Sequence, residues 1–342
     1  MAKKILFVVN PVSGTARKAD IPALVESVMD GSLYDCKIAF TSHAGHATDI
    51  AAAAAAAGVH AVVAVGGDGT VNEVGRGLVH TGTALGIVPC GSGNGLARHL
   101  LLPMNPKKAL AVLNRCETED LDYGVVDGHP FFCTCGIGFD AFISKKFAEA
   151  GKRGPATYLE NILREGLKYK PGTYIVEDET GEHRHEAFLI SCANASQYGN
   201  NAYIAPGASM SDGLLDVVVM EPFGMFEAPQ ISIEMFSKTL DRHSKVKTFR
   251  SKALRITRET PGVIHYDGDP AEAGKVVDVR IEEKGIKVVV NTMGDKAARR
   301  PNAVQSAAAE LFDGINEARA ELERQKRRMR LYGKAAIRMV KK

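Results

Sequence analysis

The sequence predicts an α/β domain over residues 1–124, a mostly antiparallel β-sandwich domain over 125–295, and a basic helical segment over 296–342. Three observations lead there. The first third alternates strand-like and helix-like runs. Near Asp120 the pattern changes to short apolar runs set between turn signals. After Asn291 apolar residues recur in steps of three and four.

In order along the chain, "KILFVVN" reads as a strand and Ile21 to Asp30 as a helix. "YDCKIAFT" is a strand, followed by an alanine-rich helix from Thr48 to Gly58, alanine being the best helix former. "HAVVAVG" is a strand with a helix from Thr70 to His80, and "ALGIVP" a strand with a helix from Asn94 to Leu101. Strand, turn and helix repeated in this way make a parallel sheet. Beyond Asp120, runs such as "YGVVDGHPFFCTCGIGF", "EAFLISCANA", "LLDVVVME" and "GIKVVVN" alternate as antiparallel strands do. Two helical pieces interrupt them, around Tyr158–Tyr169 and Phe226–Leu240. A hinge is expected near 120–126, with a cleft between the domains. The last segment carries an apolar stripe from Leu311 to Met339 along one helical face. That face predicts packing on the body, with a coiled coil or a membrane-facing helix as alternatives.

Composition narrows the class. Apolar residues make up 45% of the 342, enough for a core, yet no run is long enough to span a bilayer. The basic-then-apolar start "MAKKILFVVNP" has too short an apolar run for a signal peptide and reads as a first strand. Six scattered cysteines suit reduced thiols in the cytoplasm. Cys133 and Cys135 lack the usual zinc spacing and read as inward-facing residues of one strand. The formal charge of +3 is uneven: Arg319–Lys342 carries a net +8, which leaves −5 for the rest. A basic tail of that kind suits an anionic membrane surface.

Three predicted strand ends carry loops of one character: "NPVSGTARK" (10–18), "GGDGTVNE" (66–73) and "PCGSGNGLAR" (89–98). In a parallel sheet these ends share one edge, where ligands bind. Glycines let backbone N–H groups turn toward an anion, and the following helices point their N-termini the same way. The three loops together suit a polyphosphate. A Walker loop is excluded, since GxxxxGK[ST] is absent, and no GxGxxG follows the first strand. Asp68 between glycines implies either a cation beside the phosphates or a carboxylate that holds a hydrogen-bonded loop. A plain helix cap is the structural alternative.

With "GIGFDA", "MSDGLLDV" and "YDGDP", these motifs make the chain resemble the diacylglycerol kinase catalytic domain family of lipid kinases, over roughly residues 3–293. All six motifs stand in that family's order and spacing. The resemblance implies a nucleotide-binding domain like those of NAD kinases and diacylglycerol kinases, a β-rich domain, and ATP with Mg²⁺ in the cleft. It places Asn10, Thr41, Gly66, Gly67, Asp68, Gly69, Thr70, Glu73, Gly91, Ser92, Gly93 and Asn94 along the nucleotide. Thr41 reads equally well as a turn cap, and Asn72 and Glu73 as polar groups of a solvated helix. The resemblance makes Asp267 the base and sets Asp269 near the nucleotide or metal, though Asp269 is a methylene shorter than the family's glutamate. It offers Asp212, with Asp68, as a metal ligand, and Asp140 to the lipid headgroup; a plain turn residue, and a strand-end or capping residue, are the respective alternatives.

The function implied is ATP- and Mg²⁺-dependent phosphorylation of a lipid hydroxyl, on diacylglycerol or a sphingoid base. The Ser-Gly-Asn third loop is similar to sphingosine kinases, whereas the Gly-Gly-Asp-Gly-Thr loop is diacylglycerol-like. Alternatives are a soluble-acceptor kinase such as an NAD kinase, or a nucleotide-binding regulatory protein without catalysis. The expected partners are the lipid and a peripheral membrane contact at the inner face, with a homodimer left open and no nucleic acid.

Overall fold

The computed structural model describes residues 2–11, 20–150, 166 and 169–294. Most of the first glycine loop lies outside these residues. So do all but Gly166 and Tyr169 of the helix expected around 158–169, and the whole 296–342 segment with its apolar stripe.

The chain begins as the sequence predicts. β1 (Lys3–Val9), β2 (Tyr34–Phe40), β3 (Ala61–Gly66) and β4 (Ala84–Pro89) form a parallel sheet in the order β2-β1-β3-β4. β3 and β4 are buried along their whole length, as central parallel strands covered on both faces must be. α2 (His46–Ala56) and α3 (Asp68–Leu78) cover one face, where Ala47, Ala51 and Ala54 meet Val71, Val74 and Leu78. The alanine run is therefore a thin, close-packing face as well as a good helix. α1 (Ile21–Val28) and α5 (Pro106–Leu113) cover the other face. Asn105 caps α5 by accepting the Lys108 N–H at 3.2 Å, a helix the sequence reading left out. α4 (Gly95–His99) is a short turn after the third loop.

The expected hinge is instead a strand. β5 (Thr118–Val126) runs antiparallel along β18 (Val276–Val289) and also pairs with β6 (His129–Phe131). A segment bonded on both edges cannot serve as a loose pivot. β18 itself reaches β4 through Val288 and Leu85, and pairs with β15 (Ala253–Arg258) at its other end. With β8 (Gly172–Asp178) and β9 (Gly181–Ala187) beyond β15, one sheet runs through both halves of the molecule. β18 bulges between Glu282 and Ile286, and buried Asp122 pins the bulge by accepting the N–H groups of Lys284 (2.7 Å) and Gly213 (2.8 Å).

The second sheet is antiparallel, as expected. Its order is β14-β13-β10-β7-β16-β17, spanning Val246–Ser251, Leu215–Met220, Leu189–Ala193, Thr134–Gly138, Gly262–Tyr266 and Asp269–Ala273. Ile137, Ile190, Val217 and Ile264 on it pack against Val176, Ile256, Val277 and Val279 of the first sheet, which makes the sandwich core. Its other face carries α6 (Phe139–Ala150) and α7 (Ala228–Ser237) over Phe188, Val218 and Met220. A two-strand ribbon, β11 (Gln197–Gly199) with β12 (Ala202–Tyr203), leans toward the third loop. Among the described residues no helix is long and apolar enough to cross a membrane.

Candidate active site

In the parallel sheet, β1 is flanked by β2 and β3, so the chain's winding reverses there. Ligands of open α/β sheets bind at such a point, beyond the strands' C-terminal ends. Asn10 lies just past β1, Thr41 just past β2, and the Gly66–Thr70 turn just past β3. Asn10 spans the gap, its side-chain amide donating to Thr70 Oγ1 at 3.4 Å. Thr41 is held by its own N–H to Val9 O at 3.0 Å.

The second and third loops touch each other. A Cβ on Gly91 would stand 2.4 Å from the Gly67 Cα, so neither loop has room for a side chain at that crossing. The glycine at 91 is thus required by loop-on-loop packing, and a Cβ on Gly67 would sit tightly, 3.2 Å from the Gly91 Cα. Gly69 differs, because a Cβ there meets nothing within 4 Å. Its bare backbone faces open space, where a ligand can approach. The third loop closes on itself through Asn94, which sits at φ +53°. Its Oδ1 accepts the Gly91 N–H at 3.0 Å and its Nδ2 donates to Gly91 O at 2.8 Å. From the opposite side Asn200 donates its N–H to Gly93 O at 3.0 Å. Ser92 at the tip is exposed. Arg98 lies over this loop, donating from Nε to Gly93 O and from Nη1 to Asn201 Oδ1.

Asp68 ties the two loops together. Oδ2 accepts the Asn94 N–H at 2.9 Å and Oδ1 the Gly95 N–H at 2.6 Å. These two donors, with Asp68's own backbone N–H, are the ones that reach the carboxylate among the described residues. Desolvation by the surrounding protein raises this carboxyl above the ordinary carboxylate range. The two N–H groups oppose the rise, and the charge of Asp267 adds to it.

Asp267 is more fully engaged. It sits at φ +48° in the turn between β16 and β17. Oδ2 accepts from Phe132 N (2.8 Å) and Asn72 Nδ2 (2.9 Å), and Oδ1 from Cys133 N (2.7 Å) and Thr134 N (3.1 Å). Burial raises its carboxyl, and these donors pull the other way. Four donors fill its four acceptor positions. In this geometry the carboxylate expected as base clamps the strand start at 132–134 to α3. Both acids lie against the Cys133 thiol, which burial and their charges hold well above its usual value.

The other expected positions fall as follows. Glu73 caps α2, accepting the Ala47 N–H at 3.2 Å, at the rim beside Thr41 rather than on a solvated helix face. Asp269 opens β17 on the exposed side of the turn. Asp140 is in the first turn of α6, not at a strand end. Its Oδ2 meets His265 Nε2 at 3.0 Å and the Tyr198 hydroxyl at 3.2 Å, while Oδ1 accepts the Ala141 N–H. Asp212 does not fit a metal site. It accepts the Leu214 N–H and faces the Arg250 guanidinium at 3.8 Å, so a cation is already beside it.

Among the described residues no three His, Cys, Asp or Glu side chains cluster as a metal cage. A Mg²⁺ caged by three such side chains therefore does not fit them. An ion carried chiefly by phosphates, with one ligand from Asp68, remains compatible with that carboxylate. The sequence reading missed His265, Tyr198, and the clamping roles of Asp122 and Asn72. For His265 a signal was present, since it stands two residues before Asp267 in the "HYDGDP" run.

Comparison with known proteins agrees with this architecture. Residues 4–126 match the family model of the diacylglycerol kinase catalytic domain, and 133–290 that of the YegS C-terminal NAD kinase beta sandwich-like domain. A diacylglycerol kinase of Mycobacterium tuberculosis is 30% identical over 289 residues, covering 80% of this chain and 92% of that protein. A protein of Chromohalobacter salexigens named "Probable lipid kinase YegS-like" is 28% identical over 263 residues, covering 74% and 84%. The crystal structure of a diacylglycerol kinase from Bacillus anthracis superposes with a TM-score of 0.67 at 20% identity, over 85% of this chain and 98% of that one, a likeness of fold. With both halves matched in order, and a relative of that identity spanning most of its length, the chain belongs to the diacylglycerol kinase catalytic domain family.

Proposed function

We propose that the chain is a lipid kinase that transfers the γ-phosphoryl group of ATP to a lipid hydroxyl. The observation that carries this reading is Asp68. It joins the two glycine loops and stands next to the open backbone of Gly69. Bound ATP supplies the phosphoryl group, with Mg²⁺ on its phosphates. The loop N–H groups, Asn10, Thr70 and Arg98 orient those phosphates, and orientation with charge stabilisation supplies most of the catalysis in phosphoryl transfer. Asp68 accepts the hydroxyl proton as the bond to phosphorus forms. Its raised pKa suits that task, since a carboxylate of ordinary pKa is a weak base at neutral pH. Asp267 fixes the floor of the site, and Asp140, oriented by His265 and Tyr198, faces the acceptor's polar head.

The domain roles follow: nucleotide on residues 1–124 and lipid on 125–295. Such an enzyme works peripherally at the inner face of the membrane. The test is transfer of label from γ-labelled ATP with Mg²⁺ to mixed micelles of diacylglycerol, sphingoid base, ceramide or monoacylglycerol, beside a lipid-free reaction with NAD. Label in one lipid is the expected result and identifies the acceptor. Label only in NAD overturns the lipid reading. No label in any arm, with ATP still bound, points to a regulatory protein.

A further inference from the structure

The second sheet's outer face carries a helix whose polarity is inverted. On α7 the inward positions are Gln230, Ile231, Glu234 and Ser237, with Gln230 Nε2 donating to Glu234 Oε1 at 2.8 Å. The outward side is apolar. Phe226 is 89% exposed, Met225 65% and Ile233 49%, with exposed Pro229 between them. Pro229 and Ile233, four residues apart, share one side of the helix, and Met225 and Phe226 stand in the turn just before it. Folding gains nothing from a phenylalanine left in water at a turn, so a ridge of this kind marks a contact surface.

We propose that this ridge, formed by α7 and the turn before it, inserts into the interface of an anionic lipid bilayer and docks the protein there; the inference rests on the lipid-acceptor reading. Two features favour a membrane over a protein partner. First, the helix's acids are withdrawn from the ridge. Glu234 is buried and Glu227 turns back to accept the Gly224 N–H at 2.8 Å; the ten residues after the helix hold Lys238, Arg242, Lys245 and Lys247 against Asp241, and with Lys247 paired to Glu221 an excess of base remains. Apolar insertion flanked by bases is the pattern of interfacial helices on anionic lipid. Second, the ridge is continuous with the candidate acceptor site. Behind it Phe223 packs on Phe188 with ring centroids 4.8 Å apart, and Phe188 on Phe139 at 4.5 Å. Ile231 of α7 belongs to the same apolar cluster, as does Tyr198. Phe139 precedes Asp140, and Tyr198 bonds to it. An apolar spine thus leads from the ridge to the carboxylate assigned to the lipid head.

The chain contains no tryptophan, so Phe226→Trp creates a single fluorescent reporter at the ridge. Its emission is followed on adding vesicles of phosphatidylcholine mixed with phosphatidylglycerol, of pure phosphatidylcholine, and of the mixture with brominated acyl chains. The expected result is a solvent-exposed spectrum in buffer, a blue shift on the anionic vesicles, and quenching by bromine. Adding Met225→Glu and Ile233→Glu should weaken vesicle partition about tenfold or more without moving the thermal midpoint, because these side chains touch water in the folded state. An emission that stays at its buffer position on anionic vesicles overturns the proposal. So does a spectrum already blue in buffer, whether it reddens on dilution, as a second copy would cause, or on deletion of residues 296–342, as the chain's own tail would cause. The readout does not depend on turnover. Lipid phosphorylation without the shift removes only the docking surface, and the shift without phosphorylation of any acceptor removes only the kinase reading.

Discussion

At the residue scale the two central acids differ in what their oxygens already hold. Asp267 accepts four hydrogen bonds, three of them from backbone N–H groups. Asp267→Asn puts an amide donor against those donors, so unfolding by urea should show a loss of about 2–3 kcal/mol. An unchanged midpoint would return Asp267 to the role of base. Asp68 accepts two loop N–H groups among the described residues, so Asp68→Asn should lower turnover by on the order of 10²–10⁴-fold with a smaller loss of stability. The direction of its pKa sets the pH profile. The carboxyl is raised, so it stays protonated, and inactive as a base, to a higher pH than a free aspartate. The acid limb of kcat/KM should therefore lie above the ordinary carboxylate value of about 4, and a limb at or below that value would point away from Asp68.

At the scale of elements, a run of glycines serves two purposes that composition cannot separate. Gly91 is bare because Gly67 crosses it, whereas Gly69 is bare toward open space. Gly91→Ala should cost about 1–3 kcal/mol of folding stability as the loops are pushed apart. Gly69→Ala should change stability by less than about 1 kcal/mol, yet weaken ATP binding several-fold in calorimetry if phosphates lie on that backbone. Equal ATP affinity in Gly69→Ala and the parent would move the phosphates elsewhere. The same contrast separates two helices. The alanines of α2 read as helix formers in the sequence and prove to be a packing face, while α7 turns its apolar side outward.

Across the whole molecule the two halves are joined by shared strands. β18 pairs with β5 along most of its length, touches β4 at one end and β15 near the other, and so belongs to both cores. Neither half can melt without breaking that strand's hydrogen bonds. Scanning calorimetry of the full chain should therefore give one cooperative transition. Two separated transitions would mean that the β18 junction contributes little to coupling the halves.

The parallel α/β start, the antiparallel second half, the glycine loops at the strand ends and the family were all legible in the bare sequence. Each rests on local signals: periodicity two or four, turn residues between runs, and short motifs in a set order. α6 went unread because "GIGF" continues an apolar strand pattern, although Phe139, Phe142, Ile143 and Phe147 stand at helical spacing. The separate roles of Asp68 and Asp267 were not legible, since both stand in glycine-flanked turns with the same local chemistry. Folding separates them, by bringing Phe132, Cys133, Thr134 and Asn72 onto one carboxylate across 133 to 195 positions of chain. The expected hinge became a strand for the same reason: its partner β18 lies more than about a hundred residues away, and a hydrogen bond over that separation leaves no mark on the local sequence.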